Sequence, residues 1–426
     1  MQIFINPQKV TWNEIIRRPV INNAALRNTV SKILSEVREN GDAAIKKFTK
    51  EFDGVELADF KISNEEIKAS VLQIDNELKT AIQLARSNIE KFHNCQKEEM
   101  QPVETTKGVL CWRKSVCVEK VGLYIPGGNA PLFSTLLMLA IPATVAGCKE
   151  IVICTPPDKN GNIDPVILYT SHLLGLKNIN KIGGVQAIAA MAYGTETISK
   201  VYKIFGPGNQ YVTCAKQMIS SDGIAIDMPA GPSEVAVYAD ESARPQFVAA
   251  DLLSQAEHGT DSQVLLVASS INIIERVKQE IEIQLENLLR KNIAQDSLSK
   301  SNFVVMQNED EAFELLNEYA AEHLIIASDN AALLSEKVMN AGSVFLGHYS
   351  PESVGDYASG TNHTLPTNGY AKAYSGVSLD SFVKKITFQN ITKEGLQNIG
   401  KAVELMAQAE GLDAHKNAVT IRLNNL

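Results

Sequence analysis

The sequence predicts an α/β protein built from two similar units in tandem. Each unit carries a parallel sheet covered by helices, and a helical N-terminal part precedes them. Three observations carry this reading. From residue 118 onward, short apolar runs alternate with segments of helical period, the pattern of strand–helix units that lay down parallel sheets. The alternation then repeats over a second stretch, from about 245 to 346, in the same order of elements. Finally, three strand-to-helix junctions carry glycine: Pro126-Gly127-Gly128-Asn129, Gly183-Gly184 and Gly206-Pro207-Gly208-Asn209. In an open parallel sheet such turns lie at the carboxyl edge, where ligands meet backbone N–H groups and helix N-termini. The same glycines would also serve simply to make tight turns. Neither a G-x-G-x-x-G fingerprint nor a P-loop occurs, so any nucleotide is held in a nonstandard way.

Taken in order, residues 1–110 read as mostly helical, with apolar residues at helical spacing over 22–48 and 64–92. Residues 98–108 are polar around Pro102 and read as a linker or turn. Strands are predicted over 118–125, 150–154 and 200–205, with a shorter one ending at Lys181-Ile182. Helices begin at Leu132, span 165–174 and 185–193, and follow Asn209. Asp164 stands where a cap belongs, with Pro165 at the first helical position. In the second unit, helices are expected over 245–258, 274–289, 309–321 and 331–341, and strands over 263–268, 303–306, 323–327 and 343–346. Residues 347–380 look loop-rich, and an amphipathic helix over 393–409 precedes the cluster 413–417.

Composition narrows the function classes. With 426 residues, 45% hydrophobic and 21% charged, the chain can bury two or three ordinary cores. A net charge of −9 with no basic block argues against nucleic acid as a partner. The longest apolar run, around 136–141, is broken by Pro142 and is too short to span a bilayer. The stretch from Met1 to Pro7 lacks a basic segment and a cleavage site, so no signal peptide and no membrane partner are expected. Cysteines at 95, 111, 117, 148, 154 and 214 form no C-x-x-C pair and read as small buried hydrophobes in a reducing cytoplasm.

Chemistry concentrates in a few segments. Gln255 and His258 are three residues apart at the end of a predicted helix, so they can share one face. Asp356 in Gly355-Asp356-Tyr357 and His415 in the 413–417 cluster add a carboxylate and a second imidazole. Two imidazoles, a carboxylate and an amide oxygen make a donor set that zinc accepts. Each residue alone reads equally well as a capping or surface group. Glu322-His323 puts an acid beside an imidazole where a helix gives way to a strand, a pairing suited to general base work and water activation, or to an exposed helix end. His363 lies close to Asp356 in sequence, and the rigid turn 228–234 presents the Ser233 hydroxyl. His93, His172 and His348 lack such company and read as structural.

At this point the residues carry a resemblance. The segments Ser254-Gln-Ala-Glu-His-Gly259, Ile204-Phe-Gly-Pro-Gly-Asn209, Asp227-Met-Pro-Ala-Gly-Pro-Ser-Glu234, Gly355-Asp-Tyr-Ala-Ser-Gly-Thr-Asn-His363 and Ala414-His-Lys-Asn-Ala418 resemble the signatures of the histidinol dehydrogenase family. So do Val121-Gly-Leu-Tyr-Ile-Pro-Gly-Gly128 and Glu322-His-Leu-Ile325, and the likeness runs from about residue 20 to the end. The resemblance implies NAD-dependent, four-electron oxidation of L-histidinol to L-histidine through histidinal, the last step of histidine biosynthesis. It implies one zinc per subunit, with Gln255, His258, Asp356 and His415 as ligands. His323 would be the base and Glu322 would activate water. Besides His323 and the four zinc ligands, Ser233, His363 and Glu410 would contact substrate, and Tyr124, Gln186 and Asn209 would contact NAD.

The implied fold is two incomplete Rossmann-like units: 21–117 with 238–365, including the helical N-terminal part, and 118–237. An arm over 1–20 and a small C-terminal tail domain over 366–426 complete it. The implied assembly is a cytoplasmic homodimer whose site the tail shares between subunits. The rivals are a paralogue oxidising another primary alcohol, a thiol-dependent aldehyde dehydrogenase using Cys214, and a non-catalytic binding module.

Overall fold

In chain order, β1 (Gln2–Ile5) and α1 (Trp12–Ile15) precede three helices, α2 (Asn23–Phe48), α3 (Asn64–Ser70) and α4 (Asn76–Asn94). Strands β2 (Val103–Thr106) and β3 (Val109–Cys117) lead into an alternating unit. That unit runs β4 (Lys120–Tyr124), α5 (Phe133–Ala146), β5 (Glu150–Thr155), α6 (Pro165–Leu173), β6 (Ile179–Lys181), α7 (Gly184–Tyr193), β7 (Lys203–Phe205), α8 (Gln210–Ser220) and β8 (Ala225–Ile226). The second unit opens with β9 (Glu234–Ala239), α9 (Pro245–Ala256), β10 (Gln263–Ala268), α10 (Ile271–Leu285), α11 (Lys291–Ser299) and β11 (Asn302–Val305). It continues through α12 (Glu309–Tyr319), β12 (His323–Ala327), α13 (Ala331–Leu334), β13 (Ser343–Leu346) and α14 (Glu352–Tyr357). The tail holds β14 (Val383–Ile391), α15 (Lys393–Ala409) and α16 (Asp413–Leu423). This computed structural model describes residues 1–18, 23–127 and 131–426. Residues Gly128 and Asn129 of the first glycine turn, and residue 22 at the start of the first predicted helix, lie outside the described residues.

The two predicted parallel sheets are present. One has five strands in the order β6-β5-β4-β7-β8, the other six in the order β1-β11-β10-β9-β12-β13, and every pairing in both is parallel. Strands buried on both faces need apolar residues on both, and β4, β5 and β12 supply them as nearly continuous runs. Helices α2, α7 and α8 share one core with the five-stranded sheet, while α3 to α6 share the core on its other face. The six-stranded sheet lies between α9, α10 and α11 on one side and α1, α12 and α13 on the other. Helices α2 to α4 therefore pack with 118–237, nearer to that unit than a grouping with 238–365 anticipates.

Several elements differ from the sequence expectation, each for a physical reason. The stretch 64–92 is two helices, because the chain turns over residues 71–75 and Asp75 caps α4 by accepting from the Leu78 N–H at 2.7 Å. Residues 1–110 are not simply helical. β1 adds an edge strand to the six-stranded sheet across β11, three hundred residues away. Residues 98–108 contain β2 rather than only a linker, and β2, β3 and β14 form an antiparallel sheet in which Trp112 stacks on Phe388. The predicted helix over 331–341 shortens to α13 and a following 3-10 turn. Of the six cysteines, only Cys154 and Cys214 are buried; Cys111 and Cys117 lie half-exposed on β3 and Cys95 is exposed.

Candidate active site

Glu322 and His323 sit where α12 ends and β12 begins. Ala320 turns the chain with φ of +51°, and the strand starts at once, so the two side chains emerge at the amino edge of the six-stranded sheet. This is the opposite edge from the one where ligands usually gather in such sheets. Parallel register sets His323 across from Val235 of β9, which aligns Glu322 with Glu234. The Glu234 N–H donates to Glu322 Oε2 at 2.9 Å. Glu234 is held in turn by Arg18, whose guanidinium donates to both carboxylate oxygens at 2.6 Å, to the Tyr319 carbonyl at 2.7 Å, and lies 4.2 Å from the Tyr319 ring centre. The two-pronged pair is the geometry that arginine favours with a carboxylate.

Around His323 three carboxylates converge. Its Nδ1 lies 3.9 Å from Glu322 Oε2 and 3.9 Å from Glu352 Oε2, and its Nε2 lies 3.4 Å from Asp356 Oδ1. These are ion-pair distances rather than well-aligned hydrogen bonds, and both ring nitrogens lack a hydrogen-bond partner. Burial alone favours the neutral ring, but the surrounding carboxylates, Glu322 foremost, outweigh it and raise the imidazole pKa. Burial pushes the Glu322 carboxyl up to about 8, against the pull of His323. Glu352, 1% exposed, is pushed up to about 7 for the same reason, and the Ser254 hydroxyl donates to its other oxygen at 2.7 Å. Burial opposes ionisation of Asp356 as well, yet His323 holds it below the ordinary carboxylate range.

The remaining expected residues divide into three groups. Gln255 lies fully buried on α9, and neither atom of its amide has a partner, so it has capacity to accept a ligand. His258 does not lie on the helix as expected. α9 stops at Ala256, and His258 follows in a turn, its N–H bonded to the Gln255 carbonyl at 3.3 Å. Its ring nonetheless sits in the field of Asp356, while desolvation lowers its pKa. His363 is placed by two contacts, Nδ1 to the Asp356 carbonyl at 2.9 Å and Nε2 to Thr135 Oγ1 at 3.2 Å. Ser233 precedes β9, partly buried, and its carbonyl accepts from the Gln263 N–H.

Glu410 and His415 are exposed in the tail, at the end of α15 and on α16, which pack against each other. The four expected zinc ligands are thus not gathered within one chain. Among the described residues no group of three or more His, Cys, Asp or Glu has metal-holding geometry.

The expected cofactor residues gather at the other sheet. Tyr124 ends β4, and its phenol accepts from the Gly184 N–H at 3.1 Å. Gln186 in the first turn of α7 is buried, and its amide oxygen has no partner. Asn209 caps α8, its Oδ1 accepting from the Tyr211 and Val212 N–H groups at 3.0 and 3.1 Å, which leaves only its amide nitrogen for a ligand. Gly206 takes φ of +123° directly against the Tyr124 carbonyl, a place where any side chain would collide. The two regions face each other: Thr135, which bonds His363, stands in the first turn of α5, the helix that follows the first glycine turn. His93 is buried and its Nδ1 lies against the Ile89 carbonyl, and His348 pairs with Asp329.

Sequence reasoning missed Glu352, Glu234 and Arg18. Glu352 was findable, because it lies four residues before Asp356 and so on the same helical face. Arg18 was not, since nothing local announces a partner at 234.

A buried acid–imidazole cluster facing glycine turns across two parallel sheets defines an α/β enzyme equipped for proton transfer beside a bound ligand. Comparison with known proteins makes the class specific. The family model described as histidinol dehydrogenase matches residues 16–423. The histidinol dehydrogenase of Bacteroides thetaiotaomicron is 59% identical over 426 residues, covering 100% of both chains. That of Aliivibrio fischeri is 51% identical, covering 97% of this chain and 94% of the relative. The crystal structure of the Elizabethkingia anophelis histidinol dehydrogenase superposes with a TM-score of 0.98 at 56% identity, over 100% of this chain and 98% of that one. The chain belongs to the histidinol dehydrogenase family, oxidoreductases of histidine biosynthesis. Among the described residues no helix is long and apolar enough to cross a membrane.

Proposed function

We propose that the chain oxidises L-histidinol to L-histidine in two steps at the Glu322–His323 site. The observation that carries this reading is the buried cluster itself: an imidazole among three carboxylates, facing the glycine turns of a second sheet. When bound, NAD supplies the hydride acceptor and zinc fixes the substrate's imidazole and amine. The orphaned amide of buried Gln255, with His258 and Asp356 nearby, suits zinc, and the orphaned Gln186 oxygen suits a dinucleotide.

His323 has Nδ1 turned toward Glu322 and Glu352 and Nε2 toward Asp356, so Nε2 would serve as the basic atom where Asp356 is committed as a zinc ligand. Nε2 takes the hydroxyl proton of histidinol as the carbon loses hydride. Glu322, held toward the site by the Glu234 N–H, takes a proton from the water that adds to histidinal, while His323 returns its proton to the carbonyl oxygen and is basic again. His323 then takes the proton of the resulting hydrate as the second hydride leaves. Ser233 and His363 contact the substrate.

The chain acts as a homodimer in the cytoplasm, and its tail, 366–426, carries Glu410 and His415 to the partner's site. Exposure of both residues in the single chain and the apolar surface around them, including Leu405, Met406 and Ile421, support this assembly. The thiol alternative is disfavoured because burial raises the Cys214 pKa, the reverse of an activated nucleophile. Incubation with L-histidinol, NAD and zinc, followed by chromatography, tests the reading. Histidine is the expected product; accumulation of histidinal alone, or no product, overturns it.

A further inference from the structure

We propose that the Asp53 carboxylate selects a dinucleotide whose adenosine ribose has a free 2′-hydroxyl and rejects one bearing a 2′-phosphate. This rests on the reading that NAD occupies the crevice of the glycine turns. A cavity of about 820 Å³ opens at the carboxyl edge of the five-stranded sheet, beside Gly127 and the end of β5. That volume is ordinary for a cofactor site. Thr155, fully buried on its wall, has a hydroxyl oxygen with no partner.

Four carboxylates line the cavity, and three are committed. Asp158 accepts from the Asn160 and Asn162 N–H groups at 2.8 Å each. Asp164 caps α6 through the Val166 N–H at 2.9 Å. Glu66 accepts from the Ser63 N–H and pairs with Lys181. Asp53 alone has a buried oxygen without a partner. Burial also pushes its carboxyl up to about 6, the mark of an anion short of donors. Its charge is felt by Tyr124, whose phenol receives the Gly184 N–H, so Asp53 stands beside the glycine turns.

A ribose diol offers two O–H donors to such a carboxylate, the recognition used where an acid ends a strand in dinucleotide folds. Here the acid arrives from the turn after α2 instead. A 2′-phosphate would set a second anion against it. The only lining cation among the described residues is the exposed Lys159, and no arginine is placed to receive a phosphate.

The test is calorimetric titration of the full-length, substrate-free protein with NAD+ and with NADP+, for the wild type, Asp53→Asn and Gln186→Ala. The wild type is expected to prefer NAD+ by roughly 100-fold, the scale of a like-charge contact. Asp53→Asn should narrow this to about tenfold or less, by weaker NAD+ and tighter NADP+ binding. Gln186→Ala should weaken both ligands and leave the ratio alone. Asp53→Ser gives the same readout should Asp53→Asn melt early. An unchanged ratio in the Asp53 variants, with Gln186→Ala weakened, overturns the Asp53 assignment alone. Unchanged NAD+ binding in all variants overturns the crevice reading and the proposal with it.

Discussion

Replacing Arg18 with methionine isolates the contribution of the buried pair behind the site. The Arg18 and Glu234 side chains are 15% and 3% exposed, and the guanidinium makes three hydrogen bonds. Removing one partner of such a pair leaves an unmatched buried charge, which costs roughly 3–5 kcal/mol. Part of this is relieved because Glu234, already raised by burial, can take up a proton. The Asn368 N–H, at 2.7 Å, stays to hold one of its oxygens. A loss of about 3 kcal/mol is therefore expected for Arg18→Met at pH 7, read as a lower urea midpoint with unchanged slope. Adding Glu234→Gln should recover most of it, since the charge that lacked a partner is gone. Turnover should fall with the midpoint, because the Glu234 backbone positions Glu322. A loss below about 1 kcal/mol, the level of an exposed pair, or no recovery in the double variant, would refute the reasoning.

Three further outcomes are expected. Glu322→Gln should slow oxidation of histidinal by about 100-fold or more, and oxidation of histidinol less, on the scale of general base catalysis; stopped-flow assays with each substrate decide, and equal slowing contradicts the water-activating role. His258→Ala should lose zinc by elemental analysis while staying folded, and full retention removes it from the ligand set. Asp251 is raised to about 7 by burial, with Glu352 adding to it. Its folded pKa lies above its unfolded one, so the native state is favoured while Asp251 is protonated, and stability drains away as pH climbs from about 4 to about 7. Asp251→Asn should thus match the wild type near pH 4 and exceed it by up to about 4 kcal/mol at pH 8 in urea titrations; a constant difference across pH contradicts the shift.

Local signals made much of the fold legible. Period-two and continuous apolar runs placed β10, β12 and β13 to the residue, and helical periodicity placed α15 likewise, because each carries its apolar pattern in its own residues. The elements that went unread draw their stability from distant partners. β1 is four residues of an edge strand, legible only once β11 is known, and β14 finds β3 across some 270 residues. The site shows the same division. Glu322 and His323 are adjacent in sequence and stand together in space, whereas the helix expected to carry both Gln255 and His258 ends at Ala256, two residues short of His258. His415 and Glu410 carry a familiar pattern, yet both are exposed on the tail rather than buried as His323 is.

The central claim is that one acid–imidazole site carries out two successive oxidations with zinc in place. Counting NADH formed from limiting L-histidinol, before and after chelation, tests it most directly. The account predicts two NADH per histidinol, lost on chelation and restored by zinc. One NADH per histidinol, or two that persist without metal, would contradict it.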